Sequence, residues 1–194
     1  MPEPMIGDRQ PGEGRPIVLV DMDGVLVDLE AALLVQAEAV HGPGLRYTAP
    51  HLRGGGSFRR AMDGQVSREW VEEVLMTQGT YRDAPPVEGA IAGMADLAAL
   101  GVELVICSKH KLGLWSAGEK VDWVSRHLPG LEDRMVMTRD KTLVRGDVLI
   151  DDKARVTGML APEWVHLQLL AGATGRDPYG WTTIAEGVKQ TLHL

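Results

Sequence analysis

Six side chains in this sequence have types and spacings that could do chemistry together. Asp21 and Asp23 lie two residues apart, directly after four aliphatic residues, in Ile-Val-Leu-Val-Asp-Met-Asp-Gly (17–24). Ser108 ends the apolar run Val-Ile-Cys-Ser (105–108), and Asp151-Asp152 end Val-Leu-Ile-Asp-Asp (148–152). Lys141 sits in the connection just before that last run. Brought together, four carboxylates repel one another, and burial makes the repulsion worse. A hard divalent cation relieves it, and Mg²⁺ favours carboxylate oxygens, water and phosphate. The chemistry this points to is phosphoryl transfer. A carboxylate can attack phosphorus to give an aspartyl-phosphate, which divides one hard displacement into two easier ones. Lys141 and the Ser108 hydroxyl would hold the phosphoryl oxygens. Gly24 lets the backbone turn tightly, so that its N–H groups can approach phosphate. Asp23, just off the strand end, could give a proton to the leaving alkoxide and later take one from water.

That convergence depends on the elements carrying these residues. Ile17–Val20, residues 102–108 and residues 147–151 are short, continuous apolar runs, the signature of strands buried on both faces. Residues 134–138 and 163–170 read as two more strands. Helical spacing is predicted over 28–41, 67–78, 87–101, 118–128 and 181–192, with Asp28 and Ser67 as N-caps. Alternation of strand and helix predicts a parallel α/β sheet with helices on both faces. In such a sheet, ligands sit at the carboxyl ends of the strands, where Asp21, Ser108 and Asp151 fall. The pattern breaks over 42–86, which is rich in Gly and Pro and basic before its one helix. This segment is expected to be a small, mainly helical cap insertion, because a structureless loop of that length is uncommon in a compact domain. Residues 1–15 are expected to be a loose tail, and residues 16–41 and 87–194 the core.

The formal charge of −7 argues against a general nucleic-acid-binding role. An anionic substrate then needs local cations. Lys109, His110 and Lys111, beside the expected site, form one such tract and are candidates for recognising extra substrate charge. A single cysteine, Cys107, excludes an intramolecular disulfide and suits a reducing compartment. No stretch has the apolar region of a signal peptide or the length to span a membrane, so a cytoplasmic protein is expected. The oligomeric state is left open, a homodimer included.

Taken in order, the four motifs resemble those of the haloacid dehalogenase (HAD) superfamily of aspartate-nucleophile phosphatases. Asp-Met-Asp-Gly-Val (21–25) resembles its first motif, Val-Ile-Cys-Ser its second, Lys141 its third and Leu-Ile-Asp-Asp (149–152) its fourth. Met-Thr-Arg-Asp-Lys-Thr-Leu-Val-Arg-Gly-Asp-Val-Leu-Ile-Asp-Asp-Lys (137–153) is similar to the corresponding stretch of the 5'(3')-deoxyribonucleotidases. Glu-Lys-Val-Asp-Trp-Val (119–124) also resembles a segment of that family. The resemblance implies a Rossmann-like core with a cap that closes over substrate. It implies Asp21 as nucleophile and Asp23 as acid and base, with Ser108, Lys141 and Lys120 on the phosphoryl group. For Mg²⁺ it implies Asp21, the backbone carbonyl of Asp23, and Asp152 supported by Asp151.

The same resemblance marks departures. Leu29 stands where the family has a Phe, and Tyr81 is the one aromatic kept from a Phe-rich stretch. Leu29, Tyr81, Lys109 and His110 are therefore the candidates for substrate specificity. The expected function is a Mg²⁺-dependent phosphomonoesterase acting on a nucleoside monophosphate. Two alternatives stay open: the same chemistry on a sugar phosphate or biosynthetic intermediate, and a phosphoacceptor domain without fast turnover.

Overall fold

A computed structural model describes residues 14–41, 65–109, 115–176 and 178–194. Most of the expected tail, most of the insertion, and His110 and Lys111 lie outside the described residues. The elements in chain order are β1 (Ile17–Val20), α1 (Leu29–His41), α2 (Arg68–Leu75), α3 (Ala90–Ala99), β2 (Glu103–Ser108), α4 (Ser116–His127) and β3 (Met135–Met137). A 3-10 turn (Lys141–Leu143), β4 (Val148–Asp151), β5 (Val165–Gln168) and α5 (Ile184–Leu192) complete the chain.

The five strands form one parallel sheet in the order β3-β2-β1-β4-β5. β1 is central, and Val20 pairs with Ile106 on one side and Ile150 on the other. Successive residues alternate between faces. Val18, Val20, Leu104, Ile106, Val148 and Ile150 bury one face against Met94 and Leu97 of α3, Trp123 and Val124 of α4, and Ile184 and Val188 of α5. Leu19, Cys107 and Leu149 bury the other against Val144, Val156 and Trp164. The parallel α/β class is as expected, but the covering is not. Among the described residues the core helices gather on one face, while the second is closed by the 3-10 turn and the loop before β5. The reason is direction. The crossovers β1→β2 and β2→β3 step the same way across the sheet, and right-handedness puts both helices on one side. The return steps β3→β4 and β4→β5 use short connections that pack Trp164 instead of a helix. Trp164 was expected inside a strand over 163–170, which is trimmed here to Val165–Gln168.

A second cluster stands apart from the sheet. Leu33 and Ala37 of α1 pack with Val66, Val74, Leu75 and Tyr81. Its helices start where the sequence indicates. The Asp28 carboxylate accepts from the Ala31 N–H at 3.0 Å, and the Ser67 hydroxyl accepts from the Trp70 N–H at 3.0 Å. Two short backbone segments join this cluster to the sheet. The Asp28 N–H donates to the Pro85 carbonyl and the Val87 N–H to the Leu26 carbonyl, both at 2.8 Å.

Trp181, just before α5, locks the turn after β1. Its indole N–H donates to the Val25 carbonyl at 3.0 Å, and its ring lies against Gly93 of α3. A Cβ at Gly93 would come within 2.2 Å of that ring. Gly93→Ala is therefore expected to cost about 1–3 kcal/mol through overpacking. A thermal melt checks this, since an unchanged Tm would mean the ring has room to move.

Candidate active site

Every reactive residue expected at a strand end is found there, on three adjacent strands. Asp21 follows β1, Ser108 ends β2 and Asp151 ends β4. The sheet register puts them at one edge, because Val20, Ile106 and Ile150 lie side by side. Asp21 is fixed from both ends. Its N–H donates to the Ile150 carbonyl at 2.9 Å, and its Oδ1 accepts from the Met22 N–H at 2.8 Å.

After Asp21 the chain makes a compact turn, with the Leu26 and Val27 N–H groups both donating to the Met22 carbonyl. Gly24 has φ +81, and a Cβ there would lie 3.1 Å from Asp152 Oδ2. Glycine satisfies both demands, a left-handed backbone and close approach to an acid.

The Asp21 carboxylate is buried between two ammonium groups. Lys141 Nζ lies 2.7 Å from Asp21 Oδ1 and 2.7 Å from Asp151 Oδ2. Lys153 Nζ lies 3.6 Å from Asp21 Oδ2, 3.3 Å from Asp151 Oδ1 and 3.1 Å from Asp152 Oδ1. Lys141 is 1 % exposed and Lys153 is 45 % exposed, so one cation is built in and the other reaches in from solvent. Lys153 was not among the expected site residues. Its signal is its place two residues after Asp151, in a turn where its own N–H donates to Asp151 Oδ1 at 3.0 Å.

Burial pushes the Asp21 carboxyl up to about 6, against the attraction of Lys141, with Asp151 and Asp23 adding repulsion. Asp151 goes the other way. Burial alone would raise it, but Lys141 and Lys153 together hold it well below the usual carboxylate range. Burial would likewise depress Lys141, yet Asp21 and Asp151 keep it above its ordinary value. Neighbouring groups with opposed shifts are what acid–base and nucleophilic sites use.

Asp21, Asp151 and Asp152 each offer a carboxylate oxygen within 4.8 Å of the others, a group that could hold a metal ion. All three donors are hard oxygens, which fits a hard divalent cation. The Asp23 carboxylate does not join this group. It turns to Lys120, whose Nζ lies 2.8 and 2.7 Å from its two oxygens. Lys120 is fully buried and also donates to Ser108 Oγ at 3.0 Å and to the Lys109 carbonyl at 2.6 Å. The resemblance puts this lysine at the phosphoryl group, and here it sits beside Ser108 with Asp23 and the Lys109 carbonyl as its other acceptors. Of the specificity candidates, Tyr81 is buried with Lys120 Nζ 4.9 Å from its ring centroid. Leu29 packs against the same cluster as Tyr81. Lys109 is exposed beside Ser108, and His110 lies outside the described residues. No helix among the described residues is long and apolar enough to cross a membrane.

Known proteins resemble this chain in sequence and fold. Residues 15–159 match the family described as 5' nucleotidase, deoxy (pyrimidine), cytosolic type C protein. The human cytosolic-type 5'(3')-deoxyribonucleotidase is 38% identical over 162 residues, covering 77% of each chain. The mouse mitochondrial 5'(3')-deoxyribonucleotidase is 32% identical over 173 residues, covering 84% of this chain and 77% of its own. Among solved structures, a HAD family hydrolase from Deinococcus radiodurans, with bound phosphate and sodium, has a TM-score of 0.54 at 18% identity. It covers 93% of this chain and 97% of its own, a likeness of fold. With four motifs at one sheet edge and a family match that runs through all of them, the chain belongs to this 5'-nucleotidase family.

Proposed function

We propose that the protein is a Mg²⁺-dependent phosphomonoesterase that dephosphorylates a 5'- or 3'-(deoxy)nucleoside monophosphate through an aspartyl-phosphate on Asp21. The observation that carries this reading is the buried Asp21 carboxylate, aimed off the central strand and flanked by Lys141 and Lys153.

In the first step an Asp21 oxygen attacks phosphorus and the ester P–O bond breaks. The leaving alkoxide takes a proton from Asp23. In the second step Asp23 takes a proton from water, whose oxygen attacks the same phosphorus and frees Asp21 and inorganic phosphate. Lys141 and the Ser108 hydroxyl hold the phosphoryl oxygens in both steps. Asp21, Asp151, Asp152 and the Asp23 carbonyl would hold the metal, which supplies charge neutralisation at the transferring phosphoryl group. Protonation of Asp23 has to loosen one of its two contacts with Lys120. The Ser108 hydroxyl and the Lys109 carbonyl keep that ammonium in place meanwhile.

We also read residues 42–86 as a cap. The cluster of Leu33, Ala37, Val74, Leu75 and Tyr81 supports this, and it brings α1 to the cap side. A lid that excludes water from the phosphoenzyme suits the chemistry.

Release of phosphate from nucleoside monophosphates and sugar phosphates, measured side by side with Mg²⁺, tests the substrate. Preference for nucleotides is expected. Preference for sugar phosphates would overturn the nucleotide reading and favour the specificity change that Leu29 suggests.

Metal binding has its own signature. Asp21 has to be ionised to serve as a ligand, and without metal its carboxyl titrates at about 6. Mg²⁺ added to metal-free protein is therefore expected to displace a proton at about pH 5 and almost none at about pH 8. Calorimetric titration in two buffers of different ionisation enthalpy measures this. Equal proton release at both pH values would contradict it.

A further inference from the structure

Glu119 is a buried acid with no part in the steps above. It lies on α4 directly before Lys120, and its side chain turns to a different target. One carboxylate oxygen accepts from the Gly79 N–H. The other accepts from the N–H groups of Tyr81 at 3.1 Å and Arg82 at 3.4 Å. Two more residues of α4 bind the same stretch of chain. The Trp123 indole N–H donates to the Ala84 carbonyl at 2.8 Å, and the Arg126 guanidinium donates to the Arg82 carbonyl.

Burying a carboxylate is costly unless donors surround it, and here three backbone amides do so. What that clamp fixes is specific. Tyr81 stands in the middle of the clamped segment, and its ring faces the Lys120 ammonium at 4.9 Å. Lys120 in turn grips both oxygens of Asp23. Successive residues of one helix thus hold the segment carrying Tyr81 and the proton-transfer acid. The Tyr81 ring keeps water from that side of the ammonium and restrains it against Asp23.

We propose that Glu119 is a positioning residue for proton transfer: by clamping Gly79–Arg82 it seats Tyr81 on Lys120, which fixes the Asp23 carboxyl toward the leaving group. This rests on the phosphomonoesterase reading above. It leads to an effect that depends on the leaving group. A nucleoside alkoxide needs the proton from Asp23. A nucleoside thiolate is stable without one.

The test compares kcat/KM, which reports the phosphorylation step, for a nucleoside monophosphate and for the same compound with sulfur as the bridging ester atom, so that any contact of Tyr81 with the nucleoside is common to both. With Mg²⁺ and the full chain, Glu119→Gln is expected to lower the first by about tenfold, a fraction of what a general acid contributes. It should leave the second within about twofold. Tyr81→Leu should show the same split, and the double variant should be no slower than the slower single one. If Glu119→Gln fails to fold, Tyr81→Leu alone still carries the test. Equal losses on both esters, no loss on either, or additive losses in the double variant would overturn the proposal. A wild-type protein that hydrolyses neither ester would remove the phosphatase reading and this inference with it. An active wild type with both esters slowed equally removes this inference only.

Discussion

Asp21→Asn removes turnover, with an expected fall in kcat of roughly four orders of magnitude or more. The amide cannot form the acyl-phosphate, and no other carboxylate is placed to replace it. Asp23 is held by Lys120, and Asp151 is occupied by Lys141 and Lys153. The fold is expected to survive, because Asn has the same shape and keeps an acceptor for the Met22 N–H. The pH dependence of stability separates this from a damaged fold. In metal-free protein the Asp21 carboxyl titrates at about 6, above its ordinary value of 3.8. The folded state therefore binds this proton more tightly than the unfolded state. The group's contribution to stability declines as pH rises between those two values, and then stays constant. Asn has no such slope. Thermal melts of the metal-free proteins across that window should fall less steeply for the variant. Wild-type phosphate release from Asp21→Asn would end the nucleophile assignment.

The second large effect is on stability. Lys141→Met should destabilise the fold by about 3–5 kcal/mol, the usual result of removing one partner from a buried ionic group. For a chain of this size that lowers Tm on the order of 10 °C. Lys141 contacts one oxygen of Asp21 and one of Asp151, and both acids are almost wholly buried. Lys153 contacts the other oxygen of each, but it is half exposed and longer-ranged, so it offsets the loss only in part. The deficit should shrink in acid. Lys141 helps to hold Asp151 below the usual carboxylate range, and that stabilisation is present above the unfolded value and lost as pH falls through the folded one. Chemical denaturation at neutral pH and at about pH 2, below the ordinary carboxylate value of 3.8, measures both halves. A deficit that does not change with pH would mean that the lysine stem, and not its charge, is what the core misses.

The strand-end acids were legible because a continuous apolar run leaves a polar residue at its end few structural reasons to be there. Asp21, Ser108 and Asp151 each end or follow such a run, and the parallel order brings the runs together. The helix starts at Asp28 and Ser67 were legible for a local reason, a short oxygen-bearing side chain three residues before an amide it caps. Lys153 was not legible. A lysine after two acids reads as a solvated neighbour, and only the turn that folds it back over Asp151 gives it a place in the site. The contacts of Glu119 and Lys120 were hidden for a related reason. Helical periodicity assigns them to adjacent directions on α4, but it does not say that one meets a loop and the other the acid after β1. The one-sided helix packing was also hidden, because strand order, and not strand identity, decides which face a connection crosses.

The central position of β1 has a consequence for how the molecule forms. Its partners are far along the chain: Ile17 pairs with Glu103, and Val18 with Val148. The Ile17 N–H bonds the Asp147 carboxylate across 130 positions, and Trp181 reaches back across 156 to the turn after Asp21. Contacts of such separation make a high-contact-order fold, which closes slowly because long loops must be ordered before any pairing rewards them. During synthesis the chain emerges from its N-terminal end. β1 is thus made before the strands it pairs with, and it lacks a neighbour on one side until β4 follows. Until then that edge offers unpaired backbone to other chains. The strand-end acids meet only when β4 has joined the sheet, although Asp21 is made long before Asp151.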